Sequence, residues 1–279
     1  MKGGTSNPAG SAMLKAMWCG DFIGRFPLRP ARFPASLRCC SLIAFLFLGL
    51  AAFGAASPEA LFHEGAAAYR AADYAKAAQL FRLAASTRPA PGTLQNLGNS
   101  EWQRGQTGEA IRAWEQSAWF DPFNAAARNN LRFARKEAQL EAPELTWYEV
   151  VSTWLPPHWW AWIAGGSLWL AVGMTLLPGI FRRPKAGWHQ TVAALGLMIF
   201  LLSLPANAGV HTRSRLGFVL RKDTPLRLTP TRDAQSVTRL AAGDPARWER
   251  IRGNYLLIRS SRVTGWVARD EFGLISSKD

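Results

Sequence analysis

Leu61–Pro89 and Leu94–Pro122 carry one pattern written twice, 33 residues apart. Gly65 falls on Gly98, Tyr69 on Trp102, Ala77 on Ala110, Phe81 on Trp114, Ala84 on Ser117 and Pro89 on Pro122. A fixed period of this length belongs to stacked helical hairpins, because one such unit cannot bury its apolar face without a neighbour. Each copy reads as a helix, a turn (Ala72-Asp73, then Gly105-Gln106-Thr107-Gly108), a second helix and a terminating proline. Gly65, Gly98, Ala77 and Ala110 are small enough for the two helices of a hairpin to approach closely. Tyr69/Trp102 and Phe81/Trp114 are expected to fill the space between hairpins.

A third start, "DPFNAAARNNLRFARKEAQ", has no second helix before Pro143 and reads as the capping helix that such an array needs on its last open face. These units resemble the tetratricopeptide repeat at most of its characteristic positions. Glu64 stands where a leucine is usual, and Glu101 where an aromatic is common. By alignment the first helices present Phe62, His63, Tyr69 and Arg70, then Gln95, Asn96, Asn99 and Trp102, then Asn129, Asn130 and Phe133. The resemblance implies a peptide groove on that face, with Tyr69, Arg70, Asn96, Asn99, Trp102 and Asn130 as candidates. An asparagine offers an extended backbone both a donor and an acceptor. The alternatives stay open: Asn129 and Asn130 opening a helix, Asn96 solvated, Trp102 packing between repeats.

Trp159–Phe181 is a run of 23 residues without a charge, long enough to cross a bilayer, with Trp154, Trp159, Trp160 and Trp162 at its start like an interfacial belt. "RRPKAGW" follows, and a second apolar run, Thr191–Val210, whose end Pro205 is expected to fray. Four acids and no base precede the first span from Glu137, whereas the loop carries Arg182, Arg183 and Lys185. The positive-inside rule puts that loop in the cytoplasm and both flanking blocks outside the inner membrane. Ahead of all this, Ser41–Phe53 is an apolar run preceded by Arg25, Arg29, Arg32 and Arg38 and followed by "GAAS", the order of a secretory signal with cleavage after Ala56. An uncleaved anchor is the alternative, and the long basic segment points to Met13 or Met17 as the start. Cys19, Cys39 and Cys40 all precede this run, so the main body has no thiol for a disulfide, a cysteine-bearing zinc site or a cysteine nucleophile.

From Phe218 the pattern changes to closely spaced strands with turns at Pro230-Thr-Arg-Asp, Gly243-Asp and Gly253-Asn, which predicts five or six strands in a small closed barrel. "LAAGD…WERIRGNYLLIR…TGWV" resembles the bacterial SH3-like domain. That resemblance implies a ligand platform at Tyr255 and Trp266, both of which also suit a core. Val210–Asp279 holds 14 basic and 7 acidic residues, net +7, against 10 and 10 in Ser57–Glu144. The excess implies a solubilising surface or attraction to anionic polymer or headgroups; nucleic acid is excluded by compartment.

No catalytic pattern appears. His63-Glu64 lacks a second histidine at zincin spacing, and phosphate loops, dinucleotide glycines and serine elbows are missing. The reading is a non-enzymatic protein without cofactor or metal, multidomain and membrane-bound. Its parts are a signal peptide (1–56), an all-α tetratricopeptide array with cap (57–142), a linker (143–158), a transmembrane hairpin (159–181 and 191–210 around a cytoplasmic loop, 182–190) and an all-β SH3-like barrel (216–276). This order resembles the tetratricopeptide membrane proteins of bacterial aerotolerance (Bat-type) operons. Membership implies von Willebrand A-domain membrane proteins as partners and, indirectly, a MoxR-type ATPase. The expected function is an inner-membrane scaffold with extracytoplasmic repeats; the alternative is a sensor whose SH3-like domain binds cell-wall material.

Overall fold

Ser57 opens the first helix by accepting the Ala60 N–H at 3.1 Å, and Pro58 takes a first-turn position where a missing N–H costs nothing. The computed structural model describes residues 57–181, 187–261 and 263–276. The expected leader, its cysteines and the loop cations Arg182, Arg183 and Lys185 lie outside the described residues.

Five helices follow one another, each packed on the next: α1 (Pro58–Arg70), α2 (Tyr74–Thr87), α3 (Pro91–Gln103), α4 (Thr107–Phe120) and α5 (Ala125–Glu137). The 33-residue period reappears as contacts. A Cβ on Gly65 would stand 3.0 Å from the Phe81 ring, and one on Gly98 would stand 2.5 Å from the Trp114 indole. Phe81 and Trp114 therefore each sit in a socket made by the glycine of their own hairpin, α1–α2 and α3–α4, and they also belong to cores that reach the next helices, Phe81 with Leu97 and Ala113, Trp114 with Ala127 and Leu131. Ala72 (φ 59°) and Gly105 (φ 73°) hold the same left-handed turn position one period apart, which glycine adopts freely and alanine only at a cost. Ala77 and Ala110 are fully buried. So is Glu101, whose carboxylate binds Arg82 of α2 and, at 2.7 Å, Arg104, the residue that caps the C-terminus of its own helix. The position where an aromatic is common thus holds an ion cluster that ties α2 to α3.

A short helix, α6 (Trp147–Ser152), leads into two long apolar ones, α7 (Pro157–Ile180, 24 residues) and α8 (Gly187–Arg213, 27 residues). At 1.5 Å per residue α7 is about 36 Å long, enough for a hydrocarbon layer of about 30 Å. Their large side chains point away from protein: Trp162, Trp169, Ile180 and Leu202 are all exposed. The pair closes on small residues, since a Cβ on Gly196 would lie 2.9 Å from the Ser167 carbonyl. α8 does not fray at Pro205. Asn207 Nδ2 donates to the carbonyls of Trp160 (3.1 Å) and Ser203 (3.0 Å), and Gly209 lies so close to α6 that a Cβ would be 2.2 Å from the Tyr148 backbone carbonyl oxygen. These contacts carry the helix on to Arg213.

The C-terminal block is an all-antiparallel sheet of seven strands among the described residues: β1 (Leu216–Val219), β2 (Thr224–Arg227), β3 (Ser236–Leu240), β4 (Pro245–Arg252), β5 (Tyr255–Arg259), β6 (Thr264–Ala268) and β7 (Phe272–Leu274). Their order is β3-β2-β6-β5-β4-β1-β7, so backbone pairing leaves β3 and β7 as edges instead of closing a ring. Gly253 (φ 56°) and Asn254 make the two-residue turn between β4 and β5. Leu256, Ile258 and Val267 fill the core, and by alternation Tyr255, Leu257 and Trp266 take the other face, where each is half-buried.

The sheet and the helices are not independent domains. Ala110, Ile111, Trp114 and Trp119 of α4, Ala127, Leu131 and Ala134 of α5, and Leu216, Phe218 and Ile275 from the sheet block form a single core. Gly108 makes this possible: a Cβ there would be 2.4 Å from the backbone oxygens of Val219 and Leu220. Edge strand β7 is covered too, because Gln116 Nε2 donates to the Leu274 carbonyl at 3.1 Å. A polar joint moors the sheet to α6 and the end of α8. Glu149 of α6, 1 % exposed, accepts from Arg247 of β4 at 2.7 and 2.9 Å and from the Thr146 N–H at 2.9 Å. Burial pushes the Glu149 carboxyl up, but the hydrogen bonds from Arg247 and Thr146 outweigh it and hold the group below its ordinary range. Arg213, at the end of α8, donates to Ser152 Oγ at 3.1 Å and lies 4.9 Å over the Trp119 ring.

Candidate functional site

The sheet occupies one side of α4, and the first helices α1, α3 and α5 meet elsewhere around a concave pocket of about 300 Å³. Tyr69 comes from α1, Asn99, Trp102 and Gln103 from α3, Trp114 from α4, and Asn130 and Phe133 from α5. Each is delivered by helical phase. Tyr69 and Trp102 are period-equivalent positions, and Asn99, Trp102 and Gln103 share a face at spacings of three and four.

Aromatic rings make the walls. Trp102 and Phe133 meet edge-on with centroids 5.9 Å apart, and Trp102 tilts against Trp114 at 5.9 Å. A hydrogen-bonded chain makes the floor. Trp114 Nε1 donates to Asn99 Oδ1 at 3.0 Å and to the Gln95 carbonyl at 3.2 Å, and Asn130 Nδ2 donates to the same Asn99 oxygen at 2.8 Å. An indole N–H can only donate. It therefore fixes the Asn99 oxygen toward itself, and that oxygen in turn fixes the Asn130 amino group. Asn99 Nδ2 and Asn130 Oδ1 are left as one donor and one acceptor of defined polarity. The lining has no carboxylate, thiol, histidine or amine, so this arrangement can bind by shape and hydrogen bonding but holds no general acid or base of those types.

Four of the six groove candidates, Tyr69, Asn99, Trp102 and Asn130, come together here. Arg70 is exposed at the end of α1 and Asn96 half-buried on α3, and neither lines the pocket. Gln103 and Trp114 belong to it although sequence reasoning did not select them; Trp114 carried a signal, being the aromatic beside Gly98. On the sheet, Tyr255 and Trp266 share a face with Leu257, which pairs directly with Trp266.

A second, larger cavity, about 870 Å³, lies between the segment Gln139–Glu149 and strands β3 to β5. It is lined by charges of both signs and contains the Glu149–Arg247 joint. Compared with protein-family models, curated proteins and solved structures, the chain matches none.

Proposed function

We propose that this chain is a non-enzymatic membrane scaffold: a tetratricopeptide-type array that holds a segment of a partner protein, fixed to a membrane by a two-helix hairpin and buttressed by an SH3-like sheet. The observation that carries this reading is the pocket of Tyr69, Asn99, Trp102 and Asn130, built from three successive first helices, with Tyr69 and Trp102 at period-equivalent positions, and left open while the sheet takes the α4 side. The exposed apolar surfaces of α7 and α8 support the anchor, since side chains such as Trp169 and Leu202 require an apolar medium. Charge asymmetry about the spans supports an extracytoplasmic array and sheet on a bacterial inner membrane. The order of parts supports a Bat-type role in the envelope, with von Willebrand A-domain membrane proteins as direct partners and a MoxR-type ATPase as an indirect one.

A photo-crosslinking residue placed at Gln103 in cells tests the groove. Adducts with a membrane protein carrying a von Willebrand A domain are expected, and a Gln103 probe that yields no adduct at all refutes the reading. The second reading, a sensor of cell-wall material, is favoured by one observation: Tyr255, Leu257 and Trp266 lie together on the non-core face of the sheet, beside Arg250 and Arg252 of β4. Sedimentation of the full chain with cell-wall sacculi, lost on Trp266→Ala, would support that reading over the scaffold.

A further inference from the structure

We infer that α6 and the turn after it form an interfacial patch, which beds Trp147, Val150 and Trp154 into the headgroup–acyl boundary of the membrane that α7 and α8 cross. This rests on the membrane-anchor part of the proposed function and adds a lipid contact outside the two spans. The two sides of α6 are unlike. Glu149 and Ser152 are buried, Glu149 paired with Arg247 of β4 and Ser152 accepting from the Arg213 guanidinium at 3.1 Å. Trp147 and Val150, about one turn apart on the other side, are both exposed. Trp154 adds a third exposed side chain, in a turn closed by its N–H donating to the Val151 carbonyl at 3.1 Å. α6 cannot roll this apolar side inward without breaking the bonds of Glu149 and Ser152.

Contacts between helices set the height of the patch. Gly196 of α8 lies against the Ser167 carbonyl, and Asn207 donates to the Trp160 carbonyl at 3.1 Å. Just beyond Asn207, Gly209 meets both Tyr148 and Ser152 of α6. α6 thus stands beside the first turns of α7, where the Trp160 indole donates to the Ser152 carbonyl at 3.2 Å. From Trp160 to Ile180 the rise is about 30 Å, the depth of a hydrocarbon layer. The exposed side of α6 therefore lies at the rim of that layer, level with the exposed Trp159 and Trp162 rings. Tryptophan suits this level because its ring is apolar and its N–H prefers water. The stretch from Glu137 to the first span holds four acids and no base, so nothing in it draws anionic headgroups and the contact is apolar. Six residues bury too little area to hold a bilayer alone, but the hairpin delivers them to its surface. Since the other side of α6 is bonded to β4 and α8, the lipid contact fixes the stance of the sheet and the array above the bilayer.

The test uses the full chain in phosphatidylcholine nanodiscs, with Cys19, Cys39 and Cys40 replaced by serine. Nitroxide labels are attached one at a time through Trp147→Cys, Val150→Cys, Trp169→Cys within α7 and Arg232→Cys between β2 and β3. All four positions are exposed, so labelling displaces no packed side chain. Power-saturation EPR reads collisions of each label with oxygen, which concentrates in lipid, and with a nickel chelate, which stays in water. The oxygen-to-nickel ratio is expected to be highest at the Trp169 position, lowest at Arg232, and shifted from the Arg232 value toward the Trp169 value at both Trp147 and Val150. A ratio at either α6 position equal to that at Arg232 overturns the inference. So does low collision with both reagents, which would mean that a second copy of the chain covers this side. If the Trp169 label is water-like as well, the membrane anchor falls with the inference; if only the α6 labels are, the anchor stands and the patch alone falls.

Discussion

Arg247→Met isolates the joint between the sheet and α6. It removes two charge-assisted hydrogen bonds, at 2.7 and 2.9 Å, from a carboxylate that is 1 % exposed. Breaking a buried pair from one side costs about 3–5 kcal/mol, because the surviving charge is left without its partner. Glu149 has one way to relieve that cost, which is to take up a proton. From its ordinary value of 4.5, protonation costs about 3.4 kcal/mol at pH 7 and about 1.4 kcal/mol at pH 5.5, at 1.36 kcal/mol per unit. In the variant the folded carboxyl is raised above its unfolded value, so stability returns as pH falls, and about 2 kcal/mol of the penalty should disappear between pH 7 and 5.5. The Thr146 N–H still donates, which makes that figure an upper bound. The wild-type shift has the opposite sign. Its folded carboxyl lies below the ordinary value, so the contribution is present above that value and is lost only as pH falls through the lower folded value. The assay is thermal unfolding of the detergent-solubilised full chain, followed by tryptophan fluorescence. At roughly 2–4 °C per kcal/mol, the variant should melt roughly 6–20 °C lower at pH 7. A loss under about 1 kcal/mol, or one equal at both pH values, would refute the claim that Glu149 is a buried charge held by Arg247. Glu149→Gln combined with Arg247→Met should recover part of the loss, because no charge is then stranded.

Other consequences follow from close contacts. Gly108→Ala should destabilise by about 1–3 kcal/mol through overpacking against the Val219 and Leu220 carbonyls, although alanine is the better helix former; a raised melting temperature would argue against the shared core. Trp114→Phe should cost about 1–2 kcal/mol, as it removes the donor that orients Asn99, while Trp114→Ala should cost about 3–5 kcal/mol for an emptied ring socket; denaturant unfolding separates the two. Gly209→Val should push α6 off α8 and open residues 138–146 to limited proteolysis, where an unchanged digest would mean that α6 is held some other way. Reporter fusions after Ala142 and Asp279 should be active outside the inner membrane and a fusion after Lys185 silent; the reverse pattern inverts the proposed topology.

Local regularity was legible in the sequence for a physical reason. A helix hairpin is specified by neighbours three, four and 33 residues apart, so the pairs Gly65/Gly98 and Phe81/Trp114 and the turn residues Ala72/Gly105 could be matched without coordinates. The two charge-free runs needed only length and composition, and the Gly253-Asn254 hairpin only its turn residues. The pocket was half legible. Tyr69, Asn99, Trp102 and Asn130 followed from helical phase, but the polarity of the two amides depends on the Trp114 indole, 15 residues from Asn99 in the chain.

What tertiary structure alone decided concerns residues far apart in sequence. The period of the chain determined that helices would stack, and its apolar runs determined that two of them would be long and uniformly hydrophobic. It did not reveal that the sheet joins the core of α4 and α5, since Gly108 reads as a turn residue until Val219 and Leu220 are seen against it. In the sequence Glu149 is one of four acids ahead of the first apolar run, and Arg247, 98 positions away, one of the 14 basic residues of the C-terminal block. Burial gives that pair its meaning, and burial is a property of the assembled molecule: a charge is cheap in water and costly in a dry joint, and only the fold determines which of the two surrounds it.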